Sequence, residues 1–340
     1  MFKNLIRRKK IKQSLIGIVG NVVVPLMKNK EALTIFAYHN ITNKKKEMSL
    51  CDDLFFINLP FVDFKKQIYW INKNYHVINF DDAFKANHFT DKPLAIVTFD
   101  DGFKSVYDLA FPLMSSMGIV ATIFLTGDHV ANGKPPWISR LHYLVDNTKI
   151  DKVSYAGRIY TMKKVSDLSS FLLDVKNKLK VMTKHEMLQH LREIEKLLNV
   201  TLSDTFTENH FLNHFEINEL CKAGWLIGNH TQSHRLMSKL GNNDQFLEIS
   251  EAQSALSSFD GYRDIFALPF GGKETFTNST IKMAKKCGIK YVLTTIPNEN
   301  TDAKNQYVFG RLICETFSFS YFKFLATGRK RRVLDLLGLS

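Results

Sequence analysis

Two adjacent carboxylates, Asp100 and Asp101, carry the strongest chemical signal in the sequence because they directly follow an apolar run. The run 94–99 is rich in β-branched residues and predicts a short buried strand that ends at the aspartates. Two ionised carboxylates at one strand end repel each other, and a bound cation or a proton relieves that repulsion. The pair therefore predicts a metal site, with a simple turn as the alternative.

Two histidines four residues apart, His230 and His234, supply further candidate ligands. On a helical turn, side chains at this spacing share one face. One carboxylate and two imidazoles form a three-ligand set with an open position, which suits catalytic Zn²⁺. The same ligand types also hold Fe(II), so they leave the metal open. His230 follows a short, mostly apolar run, 225–229, which predicts a second strand end.

With these motifs, the chain resembles the NodB-type polysaccharide deacetylases, carbohydrate esterase family four, over about residues 33–312. The motifs that carry the resemblance are TFDDG at 98–102, GNHTxxH at 228–234 and the weaker FALPFG at 266–271. The resemblance implies an α/β fold, a distorted (β/α) barrel of about seven strands. It also implies an enzyme that removes the acetyl group from an N-acetylated sugar by hydrolysis.

The resemblance assigns roles to the paired carboxylates and the histidines. In that family the second aspartate and both histidines bind a divalent metal, which implies Asp101, His230 and His234 as ligands, with zinc as the expected ion. The first aspartate is the general base, which implies that Asp100 takes the proton of the attacking water.

The third motif and a nearby tryptophan provide the candidate substrate-binding residues. The family uses the backbone N–H at the position of Phe270 to stabilise an oxyanion, which implies a substrate contact along Pro269, Phe270 and Gly271. Family members usually have Tyr at that position, but a main-chain donor does not need the hydroxyl. Trp137 could stack on a sugar ring or, alternatively, anchor an insertion as a core residue.

The chain departs from the family pattern at the residues that support the base and the acid. Ala267 stands where the family usually has the Arg that orients the base, and Arg311, in a predicted strand at 308–313, is a hypothetical replacement. No histidine follows the second ligand, so the usual late general acid is missing. His39, at the end of a predicted strand at 33–38, is the candidate acid, with a bond to a loop carbonyl as the alternative.

These departures leave two interpretations of the chain open. The family's fourth motif is also not recognisable around residues 291–295. The first interpretation is an active N-deacetylase that acts on an N-acetylated glycan in a polysaccharide or a lipid-linked precursor. The second is a catalytically impaired, metal-containing glycan-binding protein.

Alternating strand and helix patterns predict a parallel barrel with one interruption. Strands are predicted at 33–38, 75–80, 94–99, 119–125, 225–229, 264–269, 289–295 and 308–313, and helices at 61–73, 103–117, 243–258 and 278–287. The predicted domains are a basic, apolar segment at 1–30, a barrel at 31–137 and 213–328, a helical insertion at 138–212 and a basic tail at 329–340. We expect the remaining histidines in or near the insertion to be surface residues: His142, His185, His190, His210 and His214.

The net charge of +13 is concentrated at the two ends of the chain. Residues 1–30 contribute +8 and residues 329–340 contribute +3, which leaves +2 for the rest. A nearly neutral body without a recognition motif argues against a nucleic-acid partner. Basic residues beside apolar ones predict a helix on an anionic membrane surface, with a buried first helix or a signal peptide, for which no small-x-small cleavage site follows, as the alternatives. We therefore expect a location in the cytoplasm or peripherally at the inner face of the membrane.

Overall fold

The computed structural model describes residues 33–43, 57–84, 91–203, 205–296, 300, 305–315 and 318–326. The basic segments 1–30 and 329–340 lie outside the described residues, so the membrane-surface prediction stays a prediction. Within these described ranges, no helix has both the length and the apolar character needed to cross a bilayer.

A nine-stranded parallel sheet forms the centre of the molecule. The strands of the described residues, in chain order, are β1 (Thr34–Tyr38), β2 (Asn40–Thr42), β3 (Asn58–Pro60), β4 (His76–Val77), β5 (Leu94–Phe99), β6 (Thr122–Leu125), β7 (Lys152–Tyr155), β8 (Arg158–Thr161), β9 (Leu226–Asn229), β10 (Tyr262–Ala267), β11 (Tyr291–Thr294), β12 (Val308–Gly310) and β13 (Leu312–Ile313). Four of them lie outside the nine-stranded sheet, because β2 pairs with β3 and β7 pairs with β8 in two small sheets. The main sheet runs β12-β11-β10-β9-β6-β5-β1-β13, and β4 pairs with β5 outside this path. Its strands are largely buried, as expected for a parallel sheet with both faces covered.

The sheet curls into a nearly closed barrel. Strands β12 and β13 lie at its opposite edges, yet only Arg311 separates Gly310 from Leu312 along the chain. Two edges joined by a single residue must lie side by side, so the predicted barrel is confirmed. The strand predicted at 308–313 is in fact two strands, because the chain pairs first with β11 and then with β1.

The helices cover the strands. They are α1 (Phe61–Asn74), α2 (Phe80–Ala83), α3 (Phe111–Ser115), α4 (Gly127–Asn132), α5 (Trp137–Asn147), α6 (Val165–Leu179), α7 (Lys184–Leu198), α8 (Phe206–His210), α9 (His214–Lys222), α10 (Asn242–Leu256), α11 (Asn278–Lys286) and α12 (Phe319–Leu325), with a π-helix at Val106–Ala110 and a 3₁₀-helix at Met237–Lys239. The four predicted helices are present. The strand predicted at 75–80 is shorter, because Asn79 caps α2 by accepting a hydrogen bond from the Asp82 N–H.

The elements from α5 to α7 pack around an apolar cluster of their own, separate from the barrel clusters. A largely helical segment was predicted here, but the segment also contains the antiparallel hairpin β7–β8. Ala156 and Gly157 form its turn with φ of 49° and 77°. Positive φ at both central residues is typical of the tight turns that join hairpin strands.

Two of the five histidines that we expected at the surface are buried. His142 is 2% exposed within α5. The His190 ring lies 2.9 Å from the Tyr155 hydroxyl and 2.7 Å from a Glu193 carboxylate oxygen. That prediction is wrong for these two residues because the insertion has its own core, in which a histidine can be buried with polar partners.

Candidate active site

The paired carboxylates follow β5 directly, as predicted. Asp100 continues the pairing with β1, because its backbone N–H donates to the Tyr38 carbonyl at 2.9 Å. The chain then turns sharply, with φ of 69° at Asp101 and 73° at Gly102. A Cβ on Gly102 would lie 2.5 Å from Leu125 Cδ2, so a larger residue would displace the buried Leu125 side chain in addition to adopting a left-handed backbone that favours glycine. The carboxylates therefore lie at the carboxyl-terminal rim of the barrel, where parallel barrels hold their sites.

The two histidines lie in a loop after β9, so the helical turn predicted for them is wrong. Thr231 and His234 both have left-handed backbones, with φ of 66° and 56°. Side-chain oxygens stabilise this path: Asn229 Oδ1 accepts from the Thr231 N–H at 2.8 Å, and Thr231 Oγ1 accepts from the His234 N–H at 3.0 Å. The loop still brings both imidazoles to Asp101, by a route that spacing alone does not show.

Glu248, a buried residue of α10, fastens this loop. Its backbone carbonyl accepts from the Gln232 N–H at 2.7 Å. Its carboxylate accepts from the Ser233 N–H at 2.9 Å and from the Ser233 hydroxyl at 2.5 Å. The segment between the two imidazoles is therefore fixed to a helix, which limits the freedom of both rings.

Asp101, His230 and His234 form a compact, buried group that could hold a metal ion. Asp101 Oδ1 lies 3.4 Å from His230 Nε2 and 3.3 Å from His234 Nε2, and it accepts no hydrogen bond within the described residues. The Ala267 carbonyl lies 2.7 Å from His230 Nδ1, so this nitrogen donates and the Nε2 lone pair faces Asp101. A buried carboxylate oxygen between two available imidazole nitrogens fits a divalent cation.

The electrostatics of the group agree with ligand function. Burial lowers the pKa of His234 to about 4, with Asp101 opposing the shift and His230 adding to it. Burial alone would raise the pKa of Asp101, but His234 and His230 hold it well below its usual range. A neutral imidazole and an ionised carboxylate are the protonation states that metal binding requires.

Arg311 and Asp100 form a bidentate ion pair inside the barrel. Nη1 and Nη2 of Arg311 donate to the two carboxylate oxygens at 2.6 and 2.7 Å. The guanidinium is fully buried beside the Phe124 ring. Burial alone would raise the pKa of Asp100, but Arg311, helped by His230, lowers it below its usual value. The structure thus places Arg311 on the oxygens of the candidate base, as the sequence hypothesis required.

His39 lies between Asp100 and a residue that the sequence reasoning missed, Glu315. Glu315 Oε1 accepts from the His39 backbone N–H at 2.6 Å and lies 3.1 Å from Nδ1, while His39 Nε2 lies 3.9 Å from Asp100 Oδ2. Burial lowers the pKa of His39, but Glu315 and then Asp100 raise it to about 9. The available signal was an acidic residue two positions after the predicted strand at 308–313, a context close to the one that singled out Asp100.

The segment Pro269–Gly271 forms a wall of the site. Phe270 has a left-handed backbone, with φ of 63°, and its ring lies 5.1 Å from the His234 ring. A Cβ on Gly271 would lie 2.7 Å from the Thr295 backbone nitrogen, so no larger residue fits there. The Phe270 side chain therefore lies beside one candidate ligand.

Trp137 lies behind this wall rather than on its surface. It is 4% exposed, its ring centroid lies 6.4 Å from that of Phe270, and its Nε1–H donates to the His234 carbonyl at 2.9 Å. A side chain so well covered offers little surface to a sugar. Its position agrees with the alternative interpretation, in which it anchors the insertion.

A parallel barrel with this cluster at its rim defines a class, the α/β-barrel hydrolases. The sequence model of the polysaccharide deacetylase family matches residues 87–292, which is more than half of the chain. The chain therefore belongs to the polysaccharide deacetylase family, whose members hydrolyse N-acetylated sugars. No curated protein matches it in sequence.

Solved structures share its fold at low sequence identity. The Streptococcus pyogenes deacetylase PplD, in complex with acetate, is 14% identical with a TM-score of 0.56, over 87% of this chain and 97% of that one. A de-N-acetylase from Aggregatibacter actinomycetemcomitans is 13% identical with a TM-score of 0.51, over 86% and 99%. IcaB from Ammonifex degensii is 14% identical with a TM-score of 0.50, over 89% and 98%.

Proposed function

We propose that this protein is a metal-dependent N-deacetylase that hydrolyses the acetamido group of an N-acetylated sugar in a polysaccharide or a lipid-linked glycan precursor. The observation that carries the proposal is the arrangement of Asp100. This carboxylate lies next to a buried Asp/His/His group, is held by Arg311, and faces His39 across 3.9 Å. The proposed base, the proposed acid and the candidate metal ligands are thus neighbours at one rim of the barrel.

Asp101, His230 and His234 would hold the metal, and zinc is the ion that we propose for this donor set. The chemistry that a divalent metal would supply there is polarisation of the acetyl carbonyl and a lower pKa for the attacking water. The Ala267 carbonyl fixes the tautomer of His230, and Glu248 fixes the loop that presents both rings. The protein's contribution to this step is a rigid, buried ligand set.

Asp100 is the group that accepts the proton of the attacking water. Its depressed pKa keeps it ionised at neutral pH, and the two Arg311 hydrogen bonds fix the direction of its oxygens. The same bonds make it a weaker base, so its contribution depends on position more than on basicity. The carbon–nitrogen bond then breaks, and acetate leaves.

His39 protonates the departing amine. With Nδ1–H bound to Glu315, the free Nε2–H faces Asp100 and the space beside the candidate ligands. A pKa of about 9 keeps the imidazole protonated at neutral pH, as a general acid requires. The Phe270 backbone N–H is the proposed donor to the developing oxyanion, because Phe270 packs against a ligand ring.

The glycan class and the location of the enzyme are proposed from the ends of the sequence. The basic, apolar segments 1–30 and 329–340 support attachment to an anionic membrane surface, where a lipid-linked precursor would be presented. This attachment would place the enzyme at the inner face of the membrane.

Metal content and acetate release, measured on the same preparations, test the function. We expect Asp101→Ala to lose both bound zinc and acetate release from N-acetylglucosamine oligosaccharides. Asp100→Asn keeps zinc but loses turnover by about 10²–10⁴-fold, the usual contribution of a general base. Asp81→Asn is the matched control, since Asp81 forms an exposed ion pair with Arg263 away from the rim.

A fully active Asp100→Asn enzyme would exclude Asp100 as the base. Wild-type protein that binds zinc but releases no acetate from any N-acetylated glycan would instead support the glycan-binding alternative. A chelator that leaves the wild-type rate unchanged would refute metal dependence.

A further inference from the structure

Lys180 holds a positive charge on the wall of the candidate active site. Its ammonium lies 4.7 Å from the centroid of the Phe270 ring, and that ring lies 5.1 Å from the ring of His234. The distance from the ammonium to the centroid of the His234 ring is therefore at most the sum of these two distances. A glycan bound with its acetamido group at the ligands would reach Lys180 with a neighbouring sugar.

The turn that carries Lys180 is anchored to the ligand loop. Lys180 directly follows α6 as its C-cap residue, and its backbone N–H donates to the Lys176 carbonyl at 3.0 Å. Arg235, the residue after the ligand His234, donates from Nη2 to the Met182 carbonyl at 3.1 Å. The insertion therefore presents this lysine at a fixed place relative to the ligands.

The ammonium has no anionic partner within the described residues. Lys180 is half-buried, and burial lowers its pKa with no carboxylate to offset the cost. The face of an aromatic ring attracts a cation, but more weakly than an anion does. Val181, the next residue, is 61% exposed, so this turn is open to solvent on one side and a ligand can reach it.

We propose that Lys180 is a specificity-determining residue that binds an anionic group, a carboxylate or a phosphate, on a part of the glycan adjacent to the reacting N-acetylated sugar. This inference rests on the proposed deacetylase function and names the substrate class of that site. The Phe270 ring holds the ammonium in place, and the substrate anion supplies the missing opposite charge. A neutral N-acetylglucosamine polymer is then a poorer substrate than an acidic glycan.

Three tetrasaccharides test this inference. One is a neutral N-acetylglucosamine oligomer, the second alternates N-acetylglucosamine with glucuronic acid, and the third carries a phosphate at its reducing end. The readout is the preference ratio, kcat/KM for an acidic substrate divided by kcat/KM for the neutral one. Lys180→Met lowers this ratio about tenfold through KM, the loss expected for one hydrogen bond to a charged group. Lys180→Arg retains it.

Lys178→Met is the matched control, because Lys178 lies on the same helix with its ammonium 5.6 Å from the Tyr155 ring, away from Phe270. This variant leaves the preference ratio unchanged. If Lys180→Met lowers kcat equally on all three substrates, Lys180 only supports the Phe270 wall and the inference is overturned. The carboxylate and phosphate substrates distinguish the two sources of the anion.

A binding measurement separates this inference from the proposed function. Asp100→Asn protein, which lacks the base, is titrated calorimetrically with the same oligosaccharides. Tighter binding of an acidic oligosaccharide that Lys180→Met abolishes supports the inference even if no preparation releases acetate. Equal affinity for neutral and acidic oligosaccharides rejects it, whatever the activity.

Discussion

Glu315 offers the sharpest test of the proposed acid, because Glu315→Gln removes a charge and keeps the shape. In the wild-type protein, Glu315 Oε1 lies 2.6 Å from the His39 backbone nitrogen and 3.1 Å from Nδ1. The glutamine carbonyl of the variant can still accept from both of these N–H groups. Glu315 provides the largest effect that raises the pKa of His39 to about 9 against the cost of burial. Without that carboxylate, we expect the pKa to fall to the ordinary value of 6.5 or below.

The size of the effect follows from the protonated fraction of His39. A group with a pKa of about 9 is about 90% protonated at pH 8, whereas one with a pKa of 6.5 is about 3% protonated. If His39 acts as the acid and its pKa falls to 6.5, kcat/KM of Glu315→Gln falls about 30-fold at pH 8 and less than about twofold at pH 6; a still lower pKa enlarges both losses but keeps the larger one at pH 8. The protonated form of His39 is lost as pH rises through its pKa, so a lower pKa moves the alkaline limb of the pH–rate profile to lower pH.

The assay is a pH profile of acetate release by the zinc-loaded enzyme, with NMR titration of the His39 ring on the same samples. Glu193→Gln is the matched control, because Glu193 pairs with His190 at 2.7 Å in the insertion, far along the chain from the rim. This control leaves the profile unchanged. Equal loss at pH 6 and pH 8, or an alkaline limb that stays near 9, would refute the assignment of His39 as the acid.

Two further predictions concern the proposed base, Asp100, and the turn that follows it. Arg311→Met leaves the buried Asp100 without its ion-pair partner, so we expect denaturant titration to show a loss of about 3–5 kcal/mol in the free energy of unfolding. The pKa of Asp100 should also rise, which moves the acidic limb of the pH–rate profile to higher pH. An acidic limb that stays in place would show that Arg311 does not tune the proposed base. Gly102→Ala places a Cβ 2.5 Å from Leu125 at a φ of 73°, so we expect a lower melting temperature and a lower zinc affinity. Gly118→Ala is the control, because Gly118 has a similar φ of 66° but open space, and we expect it to lower the free energy of unfolding by only about 1 kcal/mol. Equal effects of the two substitutions would contradict the steric argument.

The parts of the site that the sequence predicted correctly depend on local patterns. The apolar run 94–99 predicts β5 and hence the place of Asp100 and Asp101, because a β-branched run before polar residues specifies a strand end without distant information. The same reasoning places His230 after β9. The sequence therefore predicts the position of a candidate site residue where that position depends only on one strand and the loop that follows it.

The parts that were missed depend on pairings between distant segments. The run 308–313 has the composition of one strand, and only the closure of the barrel divides it at Arg311. The path between His230 and His234 depends on hydrogen bonds to Glu248, fourteen residues beyond the second histidine. Neither contact leaves a periodic pattern in the sequence, so the spacing of His230 and His234 indicated two candidate ligands but predicted the wrong local geometry for them.

The segment that closes the barrel explains how this chain tolerates its departures from the family pattern. Arg311 occupies the gap between the two edge strands and reaches Asp100, while Glu315 follows β13 and reaches His39. One short segment thus holds both the proposed base, Asp100, and the proposed acid, His39, in a chain that lacks the family's usual orienting Arg at Ala267 and its usual late histidine acid. Closure of the sheet and catalysis are therefore coupled, since a shift of this segment would release both side chains from their partners at once. That coupling favours the active deacetylase over the impaired binding protein, because a protein that only binds glycan would have no need to retain both buried pairs.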